Sequence, residues 1–214
     1  LVEIPKEIKS SDWLNYYSYH FSICELNYSF YAIPQKTNIE KMLIKSENRV
    51  EFSFKLYKEL THFIKIPDEN TINKYTDSIK YAVEPLLKNN LLIGVLVQFP
   101  YSYKNTEQNV EYILKLKNRL NFTNIIVEFR NRYWFNTSVI LILDENKISI
   151  CSVDEPDLPG LLDRKLYETG NIIYLRLHGR NRENWFNDDT KESTVMKRYD
   201  YIYNNHELMY WIDL

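Results

Sequence analysis

Short apolar runs alternate along this chain with stretches of helical pattern. The runs predict strands over Ser22–Asn27, Glu51–Leu56, Leu92–Phe99, Asn124–Phe129, Ile148–Val153 and Asn171–Leu177. The stretches predict helices over Ser11–His20, from Thr37 to about Lys45, over Thr71–Val83, Thr106–Leu120, from Asn136 to about Glu145, and over Tyr199–Trp211. Thr37-Asn38-Ile39-Glu40 has the spacing of a capping box. Pro85 should end one helix and restart a short turn. The polar run Trp185 to Thr194 reads as a loop.

Strands that alternate with helices imply parallel βαβ units in a single domain, residues 1–214. Six strands are legible, and the pattern opens and closes on a helix. A closed (β/α)8 barrel would need one further strand at each end, so the expectation is a barrel-like α/β fold without its first and last strands. An open doubly wound sheet is the structural alternative. The sequence has no GxGxxG and no P-loop, which weakens a nucleotide-binding version of that alternative.

Alternation of faces along each strand locates the chemistry. Glu25 and Asn27 share a face, as do Ser53 and Lys55, Glu128 and Arg130, Ser152 and Asp154, and Arg176 and His178. Gln98 stands opposite Val95 and Val97. The remaining positions are apolar and should pack under helices. In a barrel the polar face points inward, and these residues lie near C-terminal strand ends, where barrel enzymes place catalytic groups. Lys55, Arg130, Arg176 and Arg180 supply fixed positive charge for phosphate or carboxylate. Glu128, Asp154 and His178 are candidate catalytic acids and bases, with His62 and Glu25 nearby in type. Glu128 and Arg130 could instead pair with each other, His178 could be an interior histidine, and His62 could tether its loop to Thr61. Phe30, Tyr31, Tyr101 and Trp134 would line the mouth or serve as plain packing.

Composition narrows the classes. Hydrophobic residues are 44% and charged residues 26%, the balance of an ordinary globular protein. The net charge of -2 leaves nucleic-acid binding without a global footprint, so it would need a local basic patch. No apolar run approaches bilayer length, so no membrane association is expected. Cys24 and Cys151 lie in separate apolar runs and are expected as buried free thiols, which suits the cytoplasm. Eighteen tyrosines, and many Asn, Lys and Ile, reflect composition bias more than chemistry.

Glu25-Leu26-Asn27-Tyr28-Ser29-Phe30-Tyr31 resembles the Glu-x-Asn-x-Ser/Thr-Phe-Tyr motif of the YecE/YunF-like proteins, the family called domain of unknown function 72. Phe54-Lys55, Thr61-His62, Gln98-Phe99-Pro100, Glu128-Phe129-Arg130 with Trp134-Phe135, and Tyr174 to Arg180 match further motifs in order. Tyr199-Asp200-Tyr201 and Glu207-Leu208 with Trp211 do the same near the C-terminus. The resemblance implies a TIM-barrel-like fold and no particular reaction. The family's glycine-rich first strand and its Asn-containing C-terminal strand have no counterpart in this sequence.

Three readings of function follow. The first is an enzyme that acts on a small anionic substrate held by Lys55, Arg130, Arg176 and Arg180, with Glu25, Asn27, His62 and Gln98 as further contacts. The second is a metal-dependent phosphoesterase or DNA-repair-type nuclease, with Glu128, Asp154 and His178 as ligands. The third is a non-catalytic binding or interaction protein. Sequence leaves cofactor, metal and oligomeric state open.

Overall fold

The computed structural model describes residues 4–183, 185 and 199–214. Six strands appear: β1 (Ile23–Leu26), β2 (Glu51–Lys55), β3 (Leu92–Gln98), β4 (Ile125–Glu128), β5 (Ile148–Asp154) and β6 (Tyr174–Leu177). Among the described residues six α-helices accompany them: α1 (Trp13–Ser18), α2 (Lys36–Lys45), α3 (Glu69–Lys88), α4 (Glu107–Arg119), α5 (Thr137–Glu145) and α6 (Asn205–Ile212). The strands are hydrogen-bonded in sequence order. β1 and β2, β2 and β3, and β5 and β6 pair in parallel. Val95 donates to the carbonyl of Asn124 and Phe99 to that of Glu128, equal steps along β3 and β4, so these also run parallel. A doubly wound sheet reverses its strand order at a switch point. This order does not reverse, and the fold is α/β and TIM-barrel-like.

The chain divides into two compact units, Leu1–Gln98 with Glu111–Ile125, and Phe99–Val110 with Ile126–Leu214. In the first, Phe52 and Phe54 from β2, Leu56 just after it, and Val95 and Leu96 from β3 are fully buried. Ile72, Ile79, Ala82, Val83 and Leu86 form the buried stripe of α3. Asp68 caps this helix by accepting from the Thr71 amide. The helix continues through Pro85 instead of breaking there. Burial of Ile79, Val83 and Leu86 on both sides of the proline outweighs the one backbone hydrogen bond it deletes. The expected capping box at Thr37 is also absent. α2 starts one residue earlier, and Gln35 at its N-cap makes no side-chain cap bond. The phase that buries Ile39 and Leu43 places Thr37 inside the first turn. Cys24 is only half-buried, contrary to expectation, because among the described residues β1 has a partner strand on one side.

In the second unit every residue of β5 is buried. Phe99, Tyr103, Phe129 and Trp134 are buried and lie nearly parallel, with Phe129 and Trp134 centroids 4.3 Å apart and Phe99 and Tyr103 3.9 Å apart. Trp134 Nε1 donates to the Tyr103 carbonyl at 2.8 Å, so it is packing and does not line a mouth. The β5–β6 connection contains no helix. It is held to β5 by buried hydroxyls: Ile150 N donates to Thr169 Oγ1, Tyr167 N to Ser152 Oγ and Ile172 N to Ser149 Oγ. Gly170 (φ 66°) closes this segment, and a Cβ there would sit 2.6 Å from the Ser149 nitrogen. These bonds hold residues 171–173 outside the ladder and shorten β6 to four residues. Among the described residues β6 is the terminal strand, and its apolar positions are not covered as expected: Leu177 is 42% exposed. The C-terminal helix begins at Asn205 and not at Tyr199, because Asn204 and Glu207 form the capping box that fixes its start. Apart from Trp185, the loop expected at Trp185 to Thr194 lies outside the described residues.

Candidate functional site

The C-terminal ends of β4, β5 and β6 bring together six of the residues singled out from sequence. Glu128 ends β4 and is fully buried. Its Oε1 accepts from Arg130 Nε at 2.8 Å and lies 3.2 Å from His178 Nε2. Its Oε2 accepts from Arg176 Nη1 at 2.6 Å. Both Arg130 and Arg176 therefore converge on one carboxylate, with His178 beside them. Burial alone would raise the Glu128 carboxyl, but Arg130, the His178 bond and Arg176 hold it well below the usual carboxylate range. His178 is pushed down by burial and by Arg130 and Arg176, with Glu128 opposing. That shift favours the uncharged imidazole, whose Nε2–H donates to the Glu128 carboxylate. That tautomer leaves Nδ1 as an acceptor, and among the described residues no hydrogen bond reaches it.

Two guanidinium groups thus share this one buried carboxylate. A further acid lies alongside: Glu155 Oε2 is 3.9 Å from Arg130 Nη1. Glu155 is buried and its Oε1 accepts from the Leu162 amide at 2.7 Å, while Oε2 has no hydrogen-bond partner. Burial raises its pKa, with the Leu162 bond and Arg130 only partly opposing. Its neighbour Asp154 marked the strand end in the sequence, whereas Glu155 carried no face signal because it lies beyond β5.

Asp154 organises a second network. Arg180 grips it with Nε to Oδ1 at 2.7 Å and Nη2 to Oδ2 at 2.6 Å. Tyr203 and Trp211 donate to the same carboxylate at 3.1 and 2.6 Å. Arg180 Nη1 also donates to Glu207 Oε1 at 2.9 Å, which accepts from Tyr201 as well. Burial opposes ionisation of Asp154, and the Arg180, Trp211 and Tyr203 bonds overcome it and lower its pKa. Gly179 (φ 83°) turns the chain after His178, so Arg180 faces Asp154 while Arg176 faces Glu128. Strand alternation does not reach Tyr201, Tyr203 or Glu207, which lie outside the strands. The Asn204-to-Glu207 spacing was the available signal for the last of them.

The other candidates belong to the first unit. Lys55 Nζ lies over the Phe30 ring at 4.2 Å, and His62 meets the same ring edge-on at 4.8 Å. Thr61 Oγ1 is 2.9 Å from His62 Nδ1, the tether weighed as its bland role. Glu25 is half-buried, Asn27 is exposed, and Gln98 ends β3 partly exposed. Among the described residues no three His, Cys, Asp or Glu side chains are placed to share a metal ion. Among the same residues no helix is long and apolar enough to cross a membrane.

A family profile described as "Protein of unknown function DUF72" matches residues 3–214. The protein "UPF0759 protein YunF" of Bacillus subtilis (strain 168) is 33% identical over 217 aligned residues, which cover 97% of this chain and 76% of that protein. Among solved structures, a DUF72 family protein from Thermotoga maritima MSB8 is 32% identical with a TM-score of 0.84, covering 98% of this chain and 78% of that one. A DUF72 family protein from Enterococcus faecalis V583 shares the fold at a TM-score of 0.79 and 24% identity, covering 95% and 80%.

Proposed function

This chain belongs to the DUF72 family, and we propose that it is an enzyme that binds a small phosphate- or carboxylate-bearing substrate beside Arg130 and Arg176 and moves a proton through His178. The observation that carries this reading is the buried Glu128–His178 pair with two arginines on the same carboxylate. Glu128 holds the imidazole in one tautomer. A carboxylate in that role stabilises the imidazolium formed when Nδ1 takes a proton. The arginines offer planar, permanently charged donors that can turn from Glu128 to a substrate oxyanion. They also keep His178 neutral before the substrate arrives, so that it starts as a base. The metal-dependent reading is less favoured, because Glu128 and Asp154 are already saturated by arginine, tyrosine and tryptophan donors. A turnover screen of small phosphorylated and carboxylated compounds tests the proposal. We expect a substrate whose turnover falls by about 100-fold or more in His178→Gln, the scale of a lost general base. A substrate turned over equally by wild type and His178→Gln would overturn the assignment.

A further inference from the structure

We propose that the cleft between Arg164 and helix α6 is a second anion site, which takes the compact phosphate or carboxylate group of a small molecule. The cleft has a volume of about 330 Å³ and is lined by Arg164, Arg180, His206, Glu207 and Tyr210. His206 and Tyr210 are four residues apart on α6 and share one helix face. The Tyr210 hydroxyl donates to the Arg164 carbonyl at 3.0 Å, which anchors the β5–β6 connection to this helix by its backbone. The Arg164 side chain is left over. Although the residue is only partly exposed, its guanidinium makes no ion pair or hydrogen bond among the described residues.

The charges around the cleft explain why an anion suits it. Arg180 is balanced by Asp154 and Glu207. Those two carboxylates are in turn occupied on both oxygens: Asp154 by Arg180, Tyr203 and Trp211, and Glu207 by Arg180, Tyr201 and the Asn204 amide. Among the described residues Arg164 therefore remains as a partly desolvated, planar donor with no acceptor of its own. A guanidinium in that state is completed by a bidentate oxyanion. His206 lies in the first turn of α6, where the helix dipole also favours negative charge. The cleft is large enough for an oxyanion together with a small attached body.

This site shares no residue with the Glu128 cluster, so the two proposals stand or fall separately. Inorganic phosphate is the probe, titrated into the full chain while the His206 ring resonances are followed by NMR. In wild type and in Arg176→Gln the His206 resonances should shift in a saturable way. In Arg164→Gln the apparent affinity should weaken by about tenfold or more, the loss expected for one charge-assisted donor pair. Because the Arg164 guanidinium bonds nothing within the described residues, that variant should melt at the wild-type temperature without phosphate. A His206 signal that phosphate leaves unmoved in wild type, or moves equally in Arg164→Gln, would overturn the second site without touching the first.

Discussion

Replacing Glu128 with Gln probes the centre of the cluster with almost no change in volume. The carboxylate is fully buried, while the side chains of Arg130 and Arg176 are 18% and 17% exposed. The amide keeps one acceptor oxygen but turns an NH2 group towards guanidinium or imidazole donors. One of the two arginines must lose its bond to this position in a partly desolvated place. Removing one member of a buried ion pair costs about 3–5 kcal/mol. For a chain of this size that is a melting-temperature drop of roughly 6–20 °C at pH 7. The pH dependence adds a signature. Glu128 has a folded-state pKa below its ordinary 4.5, so its contribution is present above that value and is lost as pH falls through the folded pKa. The gap between wild type and Glu128→Gln should therefore narrow in acid. Thermal and urea denaturation followed by circular dichroism, at pH 7 and stepwise below 4.5, measures both effects. A variant within about 1 kcal/mol of wild type at pH 7 would show that the Glu128 carboxylate does not hold these arginines.

Three further outcomes follow from the same geometry. Asp154→Asn should loosen α6, costing about 3 kcal/mol and shifting the emission of Trp211, whose Nε1 loses its carboxylate acceptor; an unchanged Trp211 signal would contradict the network. His178 has a folded-state pKa below 6.5, so wild-type stability should decline as pH falls below that value, and His178→Gln should lack that part of the decline. A thiol reagent should leave Cys151 unmodified in the folded protein and label half-buried Cys24 slowly at neutral pH, faster at alkaline pH, because burial and Glu25 raise its thiol pKa.

The strands and most helices were legible because period and length are local properties. Glu51–Lys55 and Leu92–Gln98 emerge nearly as read. The Pro85 break failed because tertiary burial overrides a local breaker, and the shortening of β6 depends on Ser149 and Thr169 bonds that no periodicity shows. For the site, alternation put Glu128, Arg130, Asp154, Arg176 and His178 on matching faces, and the structure joins them within one unit. It offered the Glu128–Arg130 pair, which the structure contains, but did not fix the long-range partners. Arg176 pairs 48 residues back with Glu128, and Arg180 pairs 26 back with Asp154. A residue's face says which side it occupies, while pairing is decided by rotamers and by turns such as Gly179. Arg180 accordingly left the group it was placed in and joined Asp154 and Glu207.

The central claim is that Arg130 and Arg176 present an anion-binding surface beside a neutral His178. A crystal structure of the protein grown in phosphate tests it most directly. We expect a tetrahedral oxyanion bonded to the Arg130 and Arg176 guanidinium groups and within hydrogen-bond reach of His178 Nδ1. Phosphate-grown crystals in which both arginines stay on Glu128, with no oxyanion beside them, would contradict it.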